Sequence, residues 1–160
     1  MPGALGKVVA VMQKQVLDGM CVLLLAGVLV VVTFQVLNRF LLSIPAAWSE
    51  EAARYLFVWL SLLGAVRGVR DRSHLQVDLF VQMLSSKLQR VLDIVAGTLV
   101  AVLLVAVIQS AIILLPLTWT RRISTMNIPI FYLYVAIPIS MALMLLFTVR
   151  NTIKGPGQTR

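Results

Sequence analysis

Cysteine occurs once in these 160 residues, as Cys21, and histidine once, as His74. A lone cysteine cannot close an intrachain disulfide. A lone histidine excludes a two-histidine haem site within the chain and makes a structural metal cluster a poor fit. Charge is also scarce: Asp, Glu, Lys and Arg supply 12% of the residues, about half the ~25% of an ordinary soluble domain. With 60% hydrophobic residues and a mean hydropathy of +0.97, a soluble globule of this size has too little interior to hide the apolar surface. The bilayer is therefore the expected solvent. Acidic residues are scarcest, six against 14 basic ones, and the net charge is +8. That excess does not mark a nucleic-acid binder, whose basic residues form a stripe on a soluble fold. Here they stand at the ends of apolar runs, where charges flank membrane spans. The sequence also lacks a nucleophile–base pair, a Gly-rich phosphate loop and a redox motif, so an enzyme is not expected, and neither is a cofactor or metal.

What is present is length without charge. Residues 19–38, 94–120 and 128–149 are uncharged runs. About 20 residues at ~1.5 Å each cross a hydrocarbon core of about 30 Å. The segment from Trp48 to Gly68 reaches that length only if Glu50, Glu51, Arg54 and Arg67 lie near the headgroups, where arginine side chains snorkel. The expected fold is an all-α integral membrane protein. Four transmembrane helices cover about 16–37, 48–69, 88–116 and 128–149, in one membrane domain, 1–153, with a disordered tail at 154–160. A short interfacial amphipathic helix covers about 74–84. There Ser73 and Gln76 have capping-box spacing, Leu75, Leu79 and Met83 share one face, and His74, Asp78 and Gln82 another. Ser86 and Gln89 repeat the capping spacing and open the next helix. Pro138 should kink the last span by freeing the Tyr134 carbonyl, and Pro116 should mark the fraying end of the third.

Positive charges set the orientation. With four spans, one side holds Lys7, Lys14, Arg67, Arg70, Arg72, Lys87, Arg90, Arg150, Lys154 and Arg160. The other holds Arg39, Arg54, Arg121 and Arg122. The ten-charge side is expected in the cytoplasm with both termini. A three-span arrangement gives the same ten-to-four split, but it exports a tail carrying two lysines without a cleaved signal. The N-terminus resembles a signal peptide only loosely and reads as a retained first span.

The densest polar cluster runs from Trp48 to Tyr55. Ser49 is a candidate N-cap, Glu50 and Glu51 suit the positive end of a helix, and Glu50 and Arg54 stand at i, i+4. Such a cluster is either a well-capped helix start in the headgroup layer or a docking and helix-clamping site. Gly64 and Gly68 have small-xxx-small spacing, which permits close helix approach but is also common by chance. His74 and Asp78 read as a helix start rather than half a metal site. Met126, Met141 and Met144 read as packing. No span holds a carboxylate near its middle, the usual mark of an ion path, so a membrane partner subunit is the expectation.

The run Trp48-Ser-Glu-Glu-Ala-Ala-Arg-Tyr-Leu-Phe-Val-Trp59, then Leu63-Gly64-Ala65, Arg70 and His74-Leu75-Gln76-Val77-Asp78, resembles the signature of one family. This is the small membrane subunit of tripartite ATP-independent periplasmic (TRAP) transporters. Asn38-Arg39-Phe40 resembles the same family's Arg-aromatic step, and Tyr55 and Trp59 fit its pattern. The resemblance covers the whole chain in length and four-helix layout and is specific between Arg39 and Asp78. It implies a multi-pass protein of the bacterial inner membrane and a large multi-span membrane partner carrying the transport machinery. It further implies a soluble periplasmic binding protein, an organic-acid substrate of carboxylate type, and an ion gradient as driving force. Arg39, Trp48, Glu50, Glu51, Arg54, Tyr55 and Trp59 are then candidates for the subunit interface or a helix clamp. His74 and Asp78 would mark the cytoplasmic interfacial helix, and Arg121 and Arg122 are candidates for docking the binding protein. A four-helix multidrug exporter needs an acidic residue in its first span, and residues 19–38 hold none. A membrane anchor of another inner-membrane complex is the remaining alternative.

Overall fold

The computed structural model describes residues 4–42, 47–71, 86–122 and 127–154. Five α-helices build it: α1, Ala4–Leu37; α2, Ala47–Arg70; α3, Ser86–Trp119; α4, Phe131–Tyr134; and α5, Ala136–Lys154. A π-helical stretch, Asn38–Leu42, continues α1. Among the described residues four stretches are long and apolar enough to cross a membrane: Gln15–Leu41, Ala47–Arg70, Leu88–Trp119 and Phe131–Thr152. The Trp48 segment is thus one uninterrupted helix, and the four-span fold replaces the three-span alternative. The expected interfacial helix at 74–84, with His74 and Asp78, lies outside the described residues, as does most of the 154–160 tail.

Helix ends depart from the apolar runs for local reasons. α1 begins a dozen residues before the first expected span, because no proline stands between Ala4 and Lys14, Gly6 falls in the first turn, and lysine and glutamine propagate a helix well. α3 starts at Ser86, where the capping spacing places it. It runs through Pro116 to Trp119, so Pro116 is not the helix end. Only one turn follows this proline, and the Thr118 hydroxyl donates to the Leu115 carbonyl at 2.7 Å. Pro138 does interrupt its helix. Its ring nitrogen has no hydrogen for the Tyr134 carbonyl, and regular helix breaks at Val135 between α4 and α5.

The chain separates into two compact units. The first is Met1–Gly64 with Arg122–Ile128. In it Gly27 of α1 faces α2 closely, since a Cβ there would lie 3.4 Å from Leu56 Cδ1. Phe34 and Trp48 bring the helices' neighbouring ends together, with ring centroids 5.5 Å apart. Leu17, Cys21, Ser49 and Leu63 are buried.

The second unit is Ala65–Arg121 with Pro129–Arg160, and in it α3 packs along α5. Leu104, Ala136, Ser140, Met144, Phe147 and Thr148 are buried. Gly97 of α3 meets the Thr152 side chain so closely that a Cβ would collide with its hydroxyl. The Asn151 amide donates to the Val69 carbonyl at 2.8 Å, which fastens α5 to the last turn of α2. At the other end Trp119 and Phe131 meet edge to face at 4.8 Å.

Candidate functional site

The first turns of α2 decide where the polar cluster goes. The helix starts at Ala47, two residues earlier than a Ser49 N-cap requires. Alanine propagates a helix better than serine caps one once the helix has already begun, and Ser49 becomes a fully buried residue of the first turn. With 3.6 residues per turn, the cluster then divides between two faces. Glu51, Tyr55 and Trp59 follow one stripe at spacings of four, continued by Leu62 and the fully buried Val66, and all are at least partly covered. Glu50, Arg54, Phe57, Ser61 and Gly64 follow the opposite stripe, and all are exposed. The sequence treats the cluster as one site. The helix makes it an inward stripe and an outward stripe.

Few of the expected charge contacts form within the chain. The Gln35 amide of α1 donates to Glu50 Oε1 at 3.5 Å. Among the described residues no ion pair of 4 Å or less joins Arg39, Glu50, Glu51 and Arg54. Glu51 Oε2 is buried with no hydrogen-bond partner, a costly arrangement for a carboxylate oxygen. Arg39 is exposed in the π-helical stretch between Asn38 and the outward-facing Phe40 and Leu41.

Arg121 and Arg122 follow α3 and are both exposed. Arg122 Nη1 donates to the Asn127 carbonyl and to its side-chain oxygen, each at 3.4 Å. Asn127 takes φ 53°, a left-handed conformation that asparagine tolerates better than most residues. The Ile130 amide donates to the Arg121 carbonyl at 3.0 Å. Arg121 is thus tied by its backbone and Arg122 by its guanidinium. Among the described residues no carboxylate pairs with either guanidinium.

The end of α2 holds contacts that sequence reading missed. Asp71 receives Arg70 Nε at 2.9 Å and Arg70 Nη2 at 3.1 Å, and Arg67 stands 3.7 Å from the same carboxylate. The Arg67–Asp71 spacing of four was a legible signal. The Asn151–Val69 clamp was not, because it joins residues far apart in sequence. Among the described residues no three of His, Cys, Asp and Glu gather as a metal site.

Residues 28–155 match the family described as Tripartite ATP-independent periplasmic transporters, DctQ component. The match takes in all of α2 through α5 and residues 28–37 at the end of α1. The chain is 27% identical over 151 residues to the isethionate TRAP transporter permease protein DctMQ of Oleidesulfovibrio alaskensis. That likeness covers 89% of this chain and 23% of the relative. It is 28% identical over 124 residues to a putative TRAP transporter small permease protein of Haemophilus influenzae, covering 78% of this chain and 75% of that one. It is 37% identical over 81 residues to the sialic acid TRAP transporter small permease protein SiaQ of Vibrio cholerae, covering 49% and 47%.

Proposed function

We infer the role of this chain from the family to which it belongs, the DctQ component of the tripartite ATP-independent periplasmic transporters. It is a transporter subunit of the small permease type, not an enzyme, and a multi-pass protein of a bacterial inner membrane. Within that frame we propose that it is a non-transporting scaffold. It braces a large permease subunit in the bilayer, with both termini in the cytoplasm and Arg39, Arg121 and Arg122 on the periplasmic side.

One observation carries the scaffold reading. The acidic residues among the described ones, Asp18, Glu50, Glu51, Asp71 and Asp93, all lie within about two turns of an end of a spanning stretch. A path for protons or cations uses carboxylates at depth, so the ion and substrate sites belong to the partner. The long relative supports that partner's existence, since a sequence like this one forms part of a single, much longer permease polypeptide there. Isethionate and sialic acid, named for two relatives, are organic anions. The substrate proposed here is likewise an organic acid, delivered by a soluble periplasmic binding protein and drawn in by an ion gradient; its proposed carboxylate type is supported by the sialic acid relative and not by isethionate, which is a sulfonate.

Reconstitution in vesicles tests the division of labour. Large and small subunits together, with the binding protein and an ion gradient, are expected to accumulate substrate. The small subunit alone is expected to give none. Uptake by this chain alone would refute the scaffold role.

A further inference from the structure

A hydroxyl exposed on a spanning helix is satisfied by its own backbone. Ser61, Thr98 and Ser110 donate to the carbonyls of Val58, Ile94 and Ala106 at 3.0, 2.8 and 3.0 Å. A carboxamide has two N–H donors and an acceptor oxygen, and one such bond leaves most of it unmet. The amides of Gln35 and Asn151 lie near span ends and donate to Glu50 and to Val69. Gln109 differs from both. It is exposed on α3, and among the described residues its carboxamide has no partner. It stands fifteen residues beyond Ile94 and eleven short of Thr120, the ends of the uncharged run. At ~1.5 Å per residue these are about 22 and 16 Å, so neither headgroup layer is within reach of the side chain. An amide facing hydrocarbon at that depth is costly.

Spacing gives the second observation. Val95, Thr98, Val102, Val105, Gln109 and Ile112 succeed one another at alternating intervals of three and four, and all six are exposed. This is the 3.5-residue repeat of a left-handed helix pair. All but Gln109 are β-branched, with χ1 already restricted in a helix, so they lose little freedom on packing. A single polar residue in such a seam fixes its register and the number of helices. Neighbouring Leu99, Leu103 and Leu117 are also exposed, but acyl chains satisfy them.

We propose that α3 pairs through this seam with α3 of a second copy of this chain, the two Gln109 carboxamides bonding to each other. A copy inserted in the same direction brings an identical seam at an identical depth. Across a two-fold axis each carboxamide donates an N–H to the other's oxygen, a match that symmetry guarantees. The pairing goes beyond the small-permease reading and stands whether or not a large subunit binds.

The test uses the full complex in its membrane. Val105→Cys, Ile112→Cys and, as a control, Leu103→Cys are each made with Cys21→Ala and oxidised with copper phenanthroline. The two seam positions are expected to give a disulfide-linked dimer of this chain at least fivefold above Leu103. Equal yields at all three positions, or none at any, overturn the proposal. Gln109→Leu provides an independent arm, with Ile112→Cys as reporter. Leucine is at least as good a helix former and removes the polar group, so the amount inserted should be unchanged. The dimer yield should fall at least fivefold, whereas Gln109→Asn, which keeps a carboxamide, should retain more than half. An undiminished dimer in Gln109→Leu overturns the amide pairing. A thiol-directed photo-cross-linker on Ile112→Cys that captures the large subunit and no second copy also overturns the proposal. A dimer formed by a chain that fails to co-purify with any large subunit leaves this proposal standing and removes the partner reading.

Discussion

At Gly97 a side chain has nowhere to go without moving Thr152, whose hydroxyl is already donated to the Thr148 carbonyl at 3.0 Å. Gly97→Leu should force α3 and α5 apart and cost about 1–3 kcal/mol, the usual scale of overpacking. Gly97→Ala should cost less, because the Thr152 side chain can rotate at the expense of that hydrogen bond. Thermal unfolding of the purified protein in detergent should rank the two in that order. Asn151→Leu removes the donor to Val69 and should cost about 0.6–1.7 kcal/mol, the range for hydrogen bonds between membrane helices. The same measurement checks it. Arg54→Ala acts on another quantity. It should lower recovery of the intact complex while leaving the melting of the isolated chain nearly unchanged, since Arg54 has no ion pair among the described residues. Normal assembly with altered substrate choice would contradict that. Residue types at the start of α2 were legible in the sequence, and their partners were not. Glu50 and Arg54 have ideal helical spacing, yet the carboxylate takes the Gln35 amide from a different helix. Spacing along one helix carries no information about what a neighbouring helix presents.

Elements were easier to read than contacts, because apolar length and proline chemistry are local. Three of the spans follow from the uncharged runs, the Trp48 span follows only once the charges near its ends are placed at the headgroups, and the break at Val135 follows from the missing hydrogen on Pro138. Ends were harder. Apolarity marks where a membrane can be, whereas a helix continues until its backbone is interrupted, and so α1 extends back to Ala4 and α3 passes Pro116. Pro138→Ala restores a donor for the Tyr134 carbonyl and should fuse α4 with α5. Hydrogen–deuterium exchange across 131–139 should then slow several-fold. Unchanged exchange would mean that packing, and not the proline, interrupts the helix. The split of the Trp48–Trp59 motif into two stripes is also a property of the element. It was available from the 3.6-residue period, but only once the helix was known to run unbroken through the cluster.

For the whole molecule the open quantities are orientation and periplasmic partners. A reporter active only when exported, fused after Ser43, should be active, and one fused at the N-terminus silent. The reverse pattern would invert the topology. Arg121 and Arg122 are exposed and unmatched by acid within the described chain, so they are the proposed contact for acidic residues of the binding protein. Reversing both to Glu should slow uptake while the membrane complex still forms. In the unaltered protein docking should weaken with salt, because exposed charges are screened within about 8–10 Å at physiological ionic strength. Uptake that is unchanged across binding-protein concentrations would remove the docking role. The length of α3 has a consequence for the lipid itself. Arg90 and Asp93 stand in its first turns, and the uncharged residues 94–119 measure about 39 Å at ~1.5 Å each, against a hydrocarbon layer of about 30 Å. An inclination of about 40°, the upper end for membrane helices, shortens that projection to about 30 Å. The helix therefore fits an ordinary bilayer only when strongly tilted, and the protein should work better in membranes of longer acyl chains, where it stands more upright. Uptake in vesicles of 18-carbon lipids should exceed that in 14-carbon lipids at equal protein content, which makes membrane thickness a variable to which the transporter responds.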